Sequence, residues 1–209
     1  MKKMFKVMLL VLCAALLVAG SVLGTLAYLQ MKTETITNVM TVGNVSITLS
    51  ETKVDNFGKP VANANPIVAT STGVTGGENN YKLIPGLTYT KDPKITVAAN
   101  SEASYLFVKV VNGIAGVESG TTIAAQMSTN GWNLLSGTSD VYFMKVEATT
   151  QAKDYPVFGT FTIADNANTL DAWASVSNVT ITAYAVQADG FDTAAAAWTA
   201  TFGAPANNG

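Results

Sequence analysis

The side chains able to do chemistry are few and scattered. The chain of 209 residues contains no histidine, which removes the commonest general base and the commonest zinc ligand. A His-Glu-x-x-His zinc motif is therefore impossible. Serines are plentiful, but there is no Gly-x-Ser-x-Gly elbow and no histidine base to serve one. A Ser–Lys pair stays open at this level. Asp165, Asp171, Asp189 and Asp192 stand singly, with no run at calcium-ligand spacing, and read as solvated loop acids. Gly43, Gly76-Gly77 and Gly86 form no phosphate-cradling pattern. The residues thus predict no enzyme, no cofactor and no metal site. Trp132, Trp173, Trp198, Tyr89, Tyr105, Tyr142 and Tyr184 could line a sugar-binding face; on a β-sandwich such side chains more often fill the core or pair across strands.

One spacing does fit a known chemistry, that of export. Lys2, Lys3 and Lys6 precede an apolar run from Val7 to Gly20, and small residues follow. A signal peptidase needs small side chains at the third and first positions before the cut. Thr25 and Ala27 supply them, so residues 1–27 read as a helical signal peptide cleaved between Ala27 and Tyr28. The other reading is an uncleaved anchor, since the charge-free stretch from Val7 to Met31 could span a bilayer of roughly 30 Å. Cys13, the single cysteine, lies early in that run. The cleaved chain would hold no cysteine and so no disulfide, leaving burial and strand pairing to stabilise it. Without the three leader lysines, nine of the twelve basic residues remain against fourteen acids, a net charge of −5. Every basic residue is lysine. A weakly acidic chain of this kind is a poor nucleic-acid ligand.

The elements that would position any site are strands. Charged residues make up 12% of the chain and hydrophobic ones 48%, a balance that calls for a packed core. Val45, Ile47 and Leu49 alternate with Ser46, Thr48 and Ser50, the pattern of a half-buried strand. Leu106, Val108 and Val110 alternate with Tyr105, Phe107 and Lys109, bulky on both faces and hence central. Residues 141–146 form a third strand. Val157, Gly159, Phe161 and Ile163 lie on one face of a fourth. Val179, Ile181, Ala183 and Ala185 alternate with polar and aromatic residues in a fifth, and Ile95 and Val97 mark a short one. Pro85-Gly86 predicts a type II turn with Gly86 at positive φ, and Asp92-Pro93 a break. Residues 55–80 read as a long exposed loop or loose hairpin. Asp192 is placed to cap a helix over residues 193–201, ended by Gly203 and anchored by Trp198; residues 170–174 suggest a second helical turn. The fold expected is an all-β, antiparallel β-sandwich over residues 39–203, with a short C-terminal helix and a disordered tail at residues 204–209.

With these segments in view, the chain resembles a known family. Gly24-Thr25-Leu26-Ala27-Tyr28 is similar to the processing site of the SipW-type signal peptidase of Gram-positive bacteria. TITNVMTVGNVSIT (residues 35–48), YKLIPGLTYTKDPKITV (81–97) with its continuation through residue 110, and VTITAYAVQADGFDTAAAAW (179–198) resemble, in that order, segments of TasA/camelysin proteins. The resemblance implies a jelly-roll-like sandwich, secretion to the cell surface or extracellular matrix after SipW-type cleavage, and membrane contact only as a precursor. It also implies assembly into biofilm-matrix fibres with further copies or a related minor subunit. In such assembly the new N-terminal segment completes the sheet of the next subunit, captured at an open edge by main-chain hydrogen bonds. Residues 28–38 are then the candidate donor strand. Tyr28, Met31, Thr33 and Thr35 would be on one face, or Leu29 and Ile36 on the other; the imperfect period does not choose between them. Camelysin-like proteins have also been assigned to a metallopeptidase family, which a chain without histidine does not support. The alternative from another functional class is a monomeric secreted or surface adhesin.

Overall fold

The computed structural model describes residues 30–31, 39–42, 44–167 and 173–204, the first two stretches as backbone only. In chain order its strands are β1 (Gln30–Met31), β2 (Val39–Val42), β3 (Ile47–Glu51), β4 (Ile67–Thr70), β5 (Gly73–Thr75), β6 (Tyr81–Lys82), β7 (Thr88–Thr90), β8 (Lys94–Val97), β9 (Ser104–Asn112) and β10 (Glu118–Ser119). Helix α1 (Ile123–Thr129) follows, then β11 (Asn133–Leu134), β12 (Val141–Val146), β13 (Lys153–Pro156), β14 (Thr160–Ile163), β15 (Val179–Gln187) and helix α2 (Ala194–Phe202). Two five-stranded sheets form the body, in the orders β11-β12-β9-β15-β2 and β13-β8-β3-β4-β5. A third, β10-β14-β7, and the pair β1-β6 complete it.

The alternation read from the sequence decides which faces meet. Ile47 and Leu49 of β3, Ile95 and Val97 of β8, Leu106 and Val108 of β9, and Val179, Ile181 and Ala183 of β15 are all buried in one continuous core between the two large sheets. The fold is therefore an all-β sandwich, as its strand pattern predicts. Strand β9, bulky on both faces, is central. Its outward Tyr105 and Phe107 do not meet solvent; together with Val141 and Val186 they form a second cluster, covered by Ala194, Ala197 and Trp198 of α2.

Several expectations need correction. The cap of α2 is Thr193, not Asp192: its Oγ1 accepts from the Ala196 N–H, and its own backbone is extended. A β-branched hydroxyl residue in extended geometry is well suited to this position. Gly203 ends the helix at φ 89° as expected. Of the two readings of residues 55–80, exposed loop or loose hairpin, the hairpin is present, but it is not all exposed. Strand β4 enters the second sheet beside β3 and buries Ile67 and Ala69, and β5 returns from it as a hairpin. The run from Val157 to Ile163 is not one strand. It breaks at Val157–Gly159, where backbone groups turn to α1 and the turn after it: Gly159 N–H donates to Gln126 Oε1, and the Val157 carbonyl accepts from Asn130 Nδ2. Helix α1 lies where the strand pattern predicts only a connection; Thr122 caps it and Ile123 and Met127 share its buried face. One pairing is parallel, that of β15 with β2. The helical turn at residues 170–174 falls largely outside the described residues, as do the signal helix and most of the tail.

Candidate functional site

The most unusual chemistry sits at the end of β3. Its burial alternates from Ile47 through Leu49 to Glu51, so the same period that buries two aliphatic side chains also carries a carboxylate inside. A charge there needs a partner and satisfied hydrogen bonds. The partner is Lys91, whose Nζ lies 3.0 Å from Glu51 Oε2, with both side chains wholly buried. Lys91 reaches this place by the same rule: Tyr89, Lys91, Pro93, Ile95 and Val97 form one alternating inward face.

Two further groups converge on the carboxylate. Asn79 Nδ2 donates to Glu51 Oε1 at 2.8 Å and to the Thr52 carbonyl at 2.8 Å, while its Oδ1 accepts from the Val54 N–H at 2.9 Å. The Tyr81 hydroxyl shares its one proton between Glu51 Oε1 at 3.2 Å and the Thr90 carbonyl at 3.0 Å. Burial first, and then the Glu51 charge, raise the Tyr81 hydroxyl well above its usual pKa, so it stays a protonated donor. Above the network Tyr81, Tyr89 and Phe161 pack together, with Tyr89 and Phe161 stacked at 5.0 Å between centroids. Beside it Asp92 accepts from both the N–H and the hydroxyl of Thr52. Asp92 also borders an open cleft of about 450 Å³, lined by Lys94, Gln126, Asn130, Phe158 and Gly159 among others.

A tight turn at Asp55–Gly58 closes the aromatic side. Asp55 Oδ1 accepts from the N–H groups of Phe57 and Lys59. These bonds, that from Lys59 foremost, hold its carboxyl below the usual range. Gly58 has φ +72°, and a Cβ there would lie 2.7 Å from Tyr89 Cα. Gly58→Ala therefore combines a left-handed backbone with a backbone clash. It is expected to cost at least about 2 kcal/mol, read as a lower urea midpoint at unchanged slope.

The sheet edges are the other candidate site. In the second sheet, β13 carries Lys94–Asp154 and Thr96–Asp154 contacts across its pairing with β8. A charged edge of this kind resists further pairing. The opposite edge, β5, is fully exposed and carries Val74. In the first sheet the edges are β11, with Leu134 half exposed, and β2. Of the candidate donor residues, Met31 lies in β1 and pairs in register with Tyr81 of the same chain, Gln30 pairing with Lys82. Tyr28, Leu29, Thr33, Thr35 and Ile36 lie outside the described residues, as does the Ala27–Tyr28 junction. The structure brings β1 to β6, two residues beyond Asn79, a pairing that no local sequence pattern specifies.

Among the tryptophans and tyrosines weighed as a sugar platform, Trp132, Trp173, Trp198, Tyr89 and Tyr105 are buried. Among the described residues no three His, Cys, Asp or Glu side chains group to hold a metal, and no helix is long and apolar enough to cross a membrane. Fold and site together define a β-sandwich with a buried carboxylate–amine–amide cluster and an N-terminal segment paired along its edges. No family model, curated protein or solved structure matches the chain.

Proposed function

We propose that this chain is a secreted structural protein, a subunit of extracellular matrix fibres that assembles by strand addition once its signal peptide is removed. The observation that carries this reading is the position of the N-terminal segment. Its described parts pair as edge strands, β1 with β6 in a separate two-stranded sheet and β2 in parallel on β15 at the edge of the first large sheet. Edge strands can leave their own body and make the same main-chain bonds on a neighbour, the low-cost route of strand exchange. If the rotation between neighbours does not close, the product is a filament. The resemblance to TasA/camelysin segments supports the same reading, and it makes a SipW-type peptidase the processing enzyme and another copy or a minor subunit the partner. Cleavage after Ala27 would free the segment to exchange.

Negative-stain electron microscopy of one form starting at Tyr28 and one starting at Asn38 tests this. Filaments are expected from the first and none from the second. Filaments from both would remove the donor role of residues 28–37. Monomers from both would overturn the fibre reading in favour of a monomeric adhesin.

A further inference from the structure

The buried cluster at Glu51 is arranged for a covalent reaction as well as for packing. One carboxylate holds an amine on one oxygen, Lys91 Nζ at 3.0 Å from Oε2, and a carboxamide on the other, Asn79 Nδ2 at 2.8 Å from Oε1. The side chains of all three residues are buried, Asn79 and Lys91 completely. The orientation of the amide is fixed at each end. Its nitrogen faces the carboxylate and the Thr52 carbonyl, and its oxygen takes the Val54 N–H. Amine nucleophile, proton carrier, polarised carbonyl and leaving nitrogen are thus assembled in a site without water competition.

We propose that Lys91 and Asn79 join in an intramolecular amide bond, formed by the protein itself with Glu51 as proton carrier. The ammonium of Lys91 passes one proton to the Glu51 carboxylate across their contact. The neutral Nζ attacks Asn79 Cγ, and the Val54 N–H stabilises the charge that develops on Oδ1. Glu51 returns its proton to Nδ2 and takes one from Nζ as the Cγ–Nδ2 bond breaks. Ammonia leaves, the Nζ–Cγ amide remains, and Glu51 is left as the neutral acid. No oxidant or co-reactant is needed. The reaction also replaces a buried ion pair, which is costly to hold in a core, with neutral groups. The link closes the stretch from residue 79 to residue 91 and so ties β6 to the end of β7. It stands on these three side chains and does not depend on the fibre reading.

Mass spectrometry of the full chain after export tests it. The intact mass is expected to fall about 17 Da, one ammonia, below that of the sequence. Trypsin cuts after lysine unless proline follows; cleavable lysines stand at 53, 82, 91 and 94, while Lys59 precedes Pro60. Digestion should therefore yield a branched species joining residues 54–82 to 83–94, uncut after Lys91. Full mass with normal cleavage after Lys91 would overturn the proposal. So would a loss of that size located within a linear peptide, the mark of cyclisation at an asparagine. Glu51→Gln keeps the shape of the side chain but cannot carry the proton in this way. With native circular dichroism, that variant should show full mass and no branched peptide. A branched peptide in Glu51→Gln would remove Glu51 from the reaction. Should that variant not fold, Asn79→Asp supplies a carboxyl for the same amine and should release water, with about 18 Da lost at the same branched peptide; a linear peptide there would count against the proposal.

Discussion

Measured against the chain with its Lys91–Glu51 pair unreacted, replacing Lys91 with methionine is expected to lower the unfolding free energy by about 3–5 kcal/mol, the usual cost of removing one partner from a buried pair. The side chain of Lys91 is wholly enclosed, and its loss strands the Glu51 carboxylate beneath Tyr81 and Asn79. The informative comparison is with the double variant Lys91→Met/Glu51→Leu. Asn79 Nδ2 still has the Thr52 carbonyl and the Tyr81 hydroxyl still has the Thr90 carbonyl, so neither loses its last acceptor when the carboxylate goes. Two apolar side chains of similar size in place of a buried ion pair are often neutral or stabilising. The double variant should therefore be more stable than the single one by about 2 kcal/mol or more. Neither variant can form the Lys91 link, so this comparison holds whether or not the wild-type chain is cross-linked. Urea unfolding of both, monitored by tryptophan fluorescence, decides it. A double variant less stable than the single one would show that the pair is not the main source of the cost.

Trp198→Ala is expected to cost about 3–5 kcal/mol, the range for truncating a large core aromatic. Trp198 meets Phe107 at 5.1 Å, Tyr184 at 5.4 Å and Phe202 at 4.6 Å between ring centroids. It fixes α2 over the outer face of β9 and β15. The cluster it anchors is separate from the core between the sheets, so the loss should be uneven. Backbone amides of α2 should exchange quickly while those of β9 and β15 stay protected. Uniform loss of protection would mean that the two clusters unfold as one unit. Helix α2 is a poor helix by itself: it has nine residues and no charge in either end turn. Isolated helices of that length are marginal in water, which places its stability in Trp198 rather than in its alanines.

Much of the sandwich was legible in the sequence because strand burial is a local rule of period two. The alternation at Ile47 and Leu49, at Leu106 to Val110 and at Val179 to Ala185 named both sheets' inner faces, and the run 141–146 coincided with β12. Gly86 takes its positive φ (78°) where Pro85-Gly86 predicted it. What the period could not show is which strands become neighbours. The sequence leaves residues 55–80 between exposed loop and loose hairpin because Ile67 and Ala69 stand among Asn, Pro, Thr and Gly, and only pairing with β3 makes them core. The break at Val157–Gly159 was invisible because its cause, Gln126 and Asn130, lies some thirty residues away in the chain.

The candidate site divides in the same way. By itself the sequence determined that histidine chemistry is absent and that Glu51 and Lys91 each fall on the inward side of an apolar alternation, a signal open to reading had both been followed to their ends. It did not bring them together. Glu51 and Lys91 are 40 residues apart, and Glu51 and Asn79 are 28 apart, so their meeting depends on how β3, β6 and β7 pack. Only the tertiary structure decided that one carboxylate would hold both an amine and an amide, because such convergence is a property of packed strands and not of any one of them.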